Sequence, residues 1–164
     1  MKSKAQRDAD KNITRILVVD DHAIVRQGLI KLIETELDLK VCYEAESSNI
    51  ALEAMNKQEF DLAIVDISLE GINGLELTEI IKLRHPNIIV LILSMYDGLF
   101  YSQGALRAGA SGYVAKYEAA ERIIAAIRQV LSGKTYVSDS KVVKKIISET
   151  TSTIDDNLNT NKTS

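Results

Sequence analysis

Short apolar runs, each followed by a segment with helical spacing, constrain this chain more than any other feature. The runs are Ile16-Leu17-Val18-Val19, Val41-Cys42-Tyr43, Leu62-Ala63-Ile64-Val65, Ile88 to Leu93, and Gly112-Tyr113-Val114. They are too short for helices, rich in Val and Ile, and free of polar alternation, which is the pattern of strands buried on both faces. The intervening segments carry apolar stripes. Ile24, Leu29, Leu32 and Ile33 follow Asp21, a candidate N-cap. Ile50, Leu52 and Met55 mark a second helix; Leu75, Leu77, Ile80, Ile81 and Leu83 mark a third, ended at His85-Pro86. Tyr101, Ala105, Leu106 and Ala108 predict a fourth, with Gly109 at the left-handed cap, and Ile123, Ile124, Ile127, Val130 and Leu131 a fifth, ending near Gly133. Five β-α units in succession predict an α/β fold, an open doubly wound parallel sheet with helices on both faces.

Composition narrows the class. A chain of 164 residues with 46% apolar residues fits one domain with a real core plus tails. The net charge of -3 argues against a nucleic-acid-binding surface over the whole chain. The single Cys42 can form no internal disulfide and reads as a small core residue. No apolar run has the length of a membrane span, and residues 1–13 lack a signal-peptide core, so the expectation is a soluble, cytoplasmic protein. Residues 1–13 read as a disordered arm, 14–133 as the folded domain, 134–150 as a linker or C-terminal helix, and the Thr/Asn-rich 151–164 as a disordered tail. Within 134–150, Val142, Val143, Ile146 and Ile147 form an apolar stripe beside Lys141, Lys144 and Lys145, which read as its solvated face rather than a DNA patch.

In open parallel sheets, function gathers at the carboxyl ends of the strands. Strand 1 ends in Asp20-Asp21, strand 3 in Asp66, strand 4 in Ser94 and strand 5 in Lys116. Singly, a strand-end Asp is most often a turn or cap residue and a lysine a surface charge. Together they place carboxylates, a hydroxyl and an ammonium on one sheet edge. Crowded carboxylates repel, so the cluster calls for a cation, and hard oxygen ligands suit Mg²⁺. A carboxylate, Mg²⁺ and a lysine are the equipment for receiving a phosphoryl group.

The stretches ILVVDDHAIVRQGL, FDLAIVDISLEGINGLEL, VLILSMYDG and GALRAGASGYVAK resemble the CheY-like receiver domains of bacterial response regulators, over residues 14–133. That resemblance implies a flavodoxin-like sheet of five strands in the order 2-1-3-4-5 with five helices. It implies that Asp66 is the phosphoacceptor and that Asp20, Asp21, Asp66 and the backbone carbonyl of Ser68 hold Mg²⁺, or Mn²⁺ in its place. Lys116 then pairs with phosphoryl oxygens, Ser94 moves toward them, and the Tyr113 rotamer follows. Ser68 and Tyr96 fall where the family tunes phosphoryl lifetime. A sensor histidine kinase or phosphotransfer protein is the implied donor. The surface of helix 4, strand 5 and helix 5 is the implied switch, with homodimerisation through it as one output. The domain accepts and hydrolyses its own phosphoryl group without being a turnover enzyme. No membrane partner is expected, and no DNA binding by these residues alone.

VRQGL, the Gly-Ala-Ser-Gly-Tyr-Val run and GKTYVSD are most similar to receivers that precede a LuxR/NarL-type helix-turn-helix, although no such helix pair is evident in the sequence. A stand-alone receiver and the receiver part of a DNA-binding regulator both remain open. Two departures stand out: Glu70 and Tyr117 occupy positions where many family members carry proline, so no cis bond is expected after Lys116. A haloacid-dehalogenase-like phosphatase would need Asp-x-Asp, where this chain has Asp20-Asp21-His22, and a dinucleotide-binding domain would need a glycine-rich first turn. A degenerate receiver acting only as an interaction module conflicts with the complete acidic set. His22 reads as a polar residue of the first helical turn rather than a phosphate carrier or metal ligand.

Overall fold

The computed structural model describes residues 1–96 and 98–138. Strands β1 (Thr14–Val19), β2 (Leu39–Ala45), β3 (Leu62–Asp66), β4 (Ile89–Ser94) and β5 (Gly112–Ala115) form a parallel sheet in the expected order, extended by a short β6 (Tyr136–Val137) beyond β5. Helices α2 (Ala23–Ile33), α3 (Ser48–Lys57), α4 (Gly74–Arg84), α5 (Leu99–Ala108) and α6 (Ala119–Leu131) connect them.

The apolar runs explain the layering. Successive residues of a strand face opposite sides. Leu17, Val19, Ala63, Val65, Val90, Ile92 and Tyr113 face one way and pack with residues of α3, α4 and α5. Ile16, Val18, Leu62, Ile64, Leu91, Leu93 and Val114 face the other and pack with α2 and α6. A run that is apolar throughout is therefore the signature of a strand covered on both sides. The chain crosses over between β1 and β3: β2 lies on the far side of β1, so a crevice opens at their carboxyl ends.

Several local expectations change. The arm contains a helix, α1 (Lys4–Lys11), closed at its start by a reciprocal pair in which the Ser3 N–H donates to Gln6 Oε1 at 3.0 Å and the Gln6 N–H to Ser3 Oγ at 3.2 Å. Such a capping box needs no apolar stripe, which is why burial arguments overlook it. With α1 counted, the helix 4–strand 5–helix 5 surface is the α5–β5–α6 face. Only Leu39 and Ala45 of β2 are buried, because β2 is the edge strand, and Cys42 is half-buried there rather than in the core. Ile24 and Leu83 are exposed ends of their stripes. Asp21 does not cap α2; His22 holds that position. The folded part continues past residue 133: β6 pairs with β5, and Ser138 is buried against it. The apolar stripe at 142–147 and the tail 151–164 lie outside the described residues. Gly109 takes the left-handed cap with φ 106°, and there is no cis peptide bond among the described residues. No helix among them is long and apolar enough to cross a membrane.

Candidate phosphoacceptor site

The crevice gathers the strand-end residues. Asp20 follows β1 and is pinned at the backbone: its N–H donates to the Ala45 carbonyl at 3.0 Å and its own carbonyl accepts from Arg26 Nη1 at 2.6 Å. Arg26 in turn bridges to Glu44 through Nε at 3.1 Å. Sequence reasoning assigned Arg26 no role; here it fixes the end of β1. Asp20 Oδ1 accepts the His22 N–H at 2.8 Å, closing a tight turn into α2. Asp66 ends β3, and its Oδ1 accepts the Ser68 N–H at 3.1 Å. The loop after it returns against the strand, with the Gly74 N–H donating to the Ile67 carbonyl at 3.0 Å. A Cβ on Gly74 would stand 2.2 Å from the Asp66 carbonyl oxygen, so only glycine permits α4 to start there.

Lys116 opens a 3-10 turn after β5 and reaches across the crevice. Its Nζ lies 2.9 Å from Asp20 Oδ2 and 3.1 Å from Asp66 Oδ2. The Asp66 side chain is 0% exposed and that of Lys116 is 9% exposed. The lysine is thus drawn out of water by two buried carboxylates. Burial raises the Asp66 carboxyl above its ordinary value, and Asp20 adds to the rise, while the Ser68 N–H and Lys116 oppose it. Burial works against the Lys116 charge, but Asp20 and Asp66 overcome it and hold the ammonium above its ordinary value.

Ser94 ends β4, fully buried, and its Oγ accepts the Tyr96 N–H at 3.0 Å. Tyr113 is buried in the sheet with its hydroxyl donating to the Tyr96 carbonyl. Both predicted switch residues are therefore tied to one residue, Tyr96, whose ring stacks on Tyr101 at a centroid distance of 4.9 Å. Ser68 and Asp21 are exposed at the rim, and Glu70 joins Asp21, Glu46 and Ser47 around an acidic recess of about 270 Å³. His22, at the start of α2, has its Nδ1 2.8 Å from Asp21 Oδ1 and 3.0 Å from Asp20 Oδ1, inside the acidic cluster.

The donor set fits a divalent cation. Asp20 Oδ2 and Asp66 Oδ2 are buried and accept no aligned hydrogen bond, leaving one ammonium against two buried carboxylates and the neighbouring Asp21. Oxygen donors with this surplus of negative charge suit a hard cation with room for water.

A family model, the response regulator receiver domain, matches residues 16–128. The transcriptional regulatory protein DegU of Brevibacillus brevis is 32% identical over 85% of this chain and 59% of its own length. The oxygen regulatory protein NreC of Staphylococcus haemolyticus is 35% identical over 82% of this chain and 62% of its own. The chain thus spans about six tenths of the length of these curated relatives, 59% and 62%. Among solved structures, a LuxR-family two-component response regulator from Aurantimonas sp. superposes with a TM-score of 0.77 at 32% identity, covering 85% of this chain and 99% of that one. The isolated RcsB receiver domain from Salmonella enterica with the phosphomimetic BeF3⁻ gives 0.73 at 25% identity, covering 78% and 95%.

Proposed function

The chain belongs to the response regulator receiver family, and from that premise we propose that Asp66 is its phosphoacceptor. Receiver domains are signalling modules of two-component systems rather than enzymes in the usual turnover sense. The observation that carries the assignment is the buried Asp66 carboxylate with Oδ1 engaged by the Ser68 N–H and Oδ2 facing Lys116. An Asp66 oxygen attacks the phosphorus of a phosphohistidine on a sensor kinase or phosphotransfer protein. The P–N bond breaks, the imidazole leaves with its electron pair, and an acyl phosphate forms. Lys116 exchanges its pairing with Asp66 for the phosphoryl oxygens, so its charge is in place before the reaction begins. Mg²⁺, or Mn²⁺, held by Asp20, Asp21, Asp66 and the backbone carbonyl of Ser68, would neutralise the same oxygens.

Switching then follows from the tie at Tyr96. Ser94 turns toward the new phosphoryl group and releases the Tyr96 N–H. The Tyr113 hydroxyl, on the Tyr96 carbonyl, moves with that segment. The α5–β5–α6 face changes shape, altering its affinity for a partner or a second copy. Ser68 and Tyr96 border the approach of hydrolytic water.

A second reading concerns output. The relatives are longer than this chain, which favours a receiver that governs a LuxR-type DNA-binding part lying outside these residues.

Incubation with acetyl phosphate and Mg²⁺ tests the assignment. The wild type should gain a base-labile phosphoryl group and Asp66→Asn none. Equal labelling of the variant refutes it.

A further inference from the structure

We propose that His22 is a nitrogen ligand of the cation site, through Nδ1, and that it biases the site toward borderline ions such as Co²⁺, Ni²⁺ and Zn²⁺ relative to Mg²⁺. The inference rests on the reading of Asp66 and its neighbours as a cation-assisted phosphoacceptor site.

The first ground is that the His22 ring serves the acidic cluster rather than the helix, its Nδ1 standing within hydrogen-bond distance of Asp20 Oδ1 at 3.0 Å. His22 occupies the N-cap position of α2, where Ser, Thr, Asp or Asn would accept a hydrogen bond, yet its side chain makes no cap. The turn is closed instead by Asp20 Oδ1 on the His22 N–H. That bond anchors the backbone at φ -95° and ψ 107° and leaves the ring folded back over the acidic pair.

The second ground is metric. Nδ1 lies 3.0 Å from Asp20 Oδ1, 2.8 Å from Asp21 Oδ1 and 4.0 Å from Asp66 Oδ2. Around an octahedral ion with bonds of about 2.1 Å, adjacent ligand atoms are about 3.0 Å apart and opposite ones about 4.2 Å. The nitrogen therefore stands at adjacent spacing from two carboxylates and close to opposite spacing from the third. One donor atom from each of Asp20, Asp21, His22 and Asp66 falls within 4.8 Å of every other.

Two of those residues, Asp20 and Asp66, are buried and carry the oxygens that accept no aligned hydrogen bond. The ring is 61% exposed, which leaves a face for ion and water to arrive. Coordination uses the Nδ1 lone pair; the hydrogen of the neutral ring then resides on Nε2, and any second proton passes to solvent. Imidazole favours borderline ions over Mg²⁺, so nitrogen at this vertex shifts selectivity rather than creating the site.

Mn²⁺ serves as the probe on the full chain. Titration followed by electron paramagnetic resonance gives the affinity, and pulsed measurements read hyperfine coupling from a directly bound nitrogen. Wild-type protein should show a ¹⁴N coupling that changes to ¹⁵N on histidine labelling and disappears in His22→Gln. The other histidine, His85, ends α4 at the opposite edge of the sheet and contributes none. His22→Gln should lose about tenfold or more in Co²⁺ and Zn²⁺ affinity and less than about threefold in Mg²⁺ affinity. Bound Mn²⁺ without nitrogen coupling overturns the inference, since the ring would then give way to the ion, and leaves the phosphoacceptor reading standing. Mn²⁺ binding that is equally tight in Asp66→Asn counts instead against that underlying reading.

Discussion

Replacing Lys116 by Met tests how the site stores its charge. Met keeps most of the apolar stem and removes only the ammonium. In the wild type, that ammonium stands 2.9 Å from Asp20 Oδ2 and 3.1 Å from Asp66 Oδ2, both buried and without an aligned hydrogen bond. Breaking a buried ion pair by removing one partner costs about 3–5 kcal/mol, because the remaining charge is uncompensated. Two carboxylates share this lysine, so the upper half of that range is expected in EDTA. That is a large part of a typical folding free energy of about 5–15 kcal/mol. Mg²⁺ should then matter more to the variant. A ligand at 100 times its dissociation constant adds about 2.7 kcal/mol, and a site one charge more negative binds the ion more tightly. The gap between wild type and Lys116→Met should therefore narrow as Mg²⁺ is raised. Adding Asp66→Asn to the variant should restore stability in EDTA by removing one unpaired charge. Urea unfolding of the three proteins, with and without Mg²⁺, measures all three effects. A Lys116→Met variant within about 1 kcal/mol of wild type in EDTA, unaffected by the second substitution, refutes the account; the range it must miss comes from breaking a buried pair.

Burial raises the Asp66 carboxyl, so the folded state holds this proton more tightly than the unfolded chain. The sign follows: wild-type stability falls as pH rises from the unfolded value of about 3.9 through the higher folded one, and stays reduced above it. Without divalent cations, Asp66→Asn should gain stability over wild type across that window, and a difference independent of pH contradicts the burial argument. Gly74→Ala should cost about 1–3 kcal/mol by overpacking, since its Cβ would stand 2.2 Å from the Asp66 carbonyl oxygen; it should also slow acetyl phosphate labelling, and an unchanged unfolding midpoint would falsify the contact. Ser138→Ala should cost about 1–3 kcal/mol because the buried Ala115 N–H donates to Ser138 Oγ at 2.9 Å; hydrogen exchange at Ala115 should accelerate, and unchanged protection speaks against it.

The legible parts of this protein are those that repeat. Apolar runs such as Leu62–Val65 declare strands covered on both faces, and their order places Asp20, Asp66, Ser94 and Lys116 on one edge. What stayed hidden depends on single contacts. The helix at Lys4–Lys11 starts with a capping box between Ser3 and Gln6 that leaves no trace in hydropathy. Tyr136-Val137 is too short to register as a strand, and it forms because β5 presents a free edge that Ser138 then closes at Ala115. Gly74 sat in plain view within GINGLEL, but its necessity lies in the close approach of the Asp66 backbone, which a local pattern does not describe. Arg26 was a polar residue on a helix until its guanidinium met the Asp20 carbonyl. Helical periodicity reads position 22 only as the start of a helix. The turn made by Asp20 takes His22 out of that helix and aims it at the carboxylates.

The same dependence on single contacts bears on how a signal could leave the pocket. Ser94 and Tyr113 lie on different strands, and each could in principle change rotamer alone. Here both bind the backbone of Tyr96, one at its N–H and one at its carbonyl. A rotation of Ser94 toward Asp66 leaves the Tyr96 N–H without its partner, while the carbonyl on the same residue still anchors a buried ring. Tyr96 is half exposed, so water can take up the freed N–H, and losing the bond costs about 1 kcal/mol, that of an ordinary intramolecular hydrogen bond. The shared residue links the two side chains more closely than their separation along the chain suggests. It also places the link in the backbone, so substitutions of the Tyr96 ring should alter what docks on the α5 side more than they alter the coupling itself.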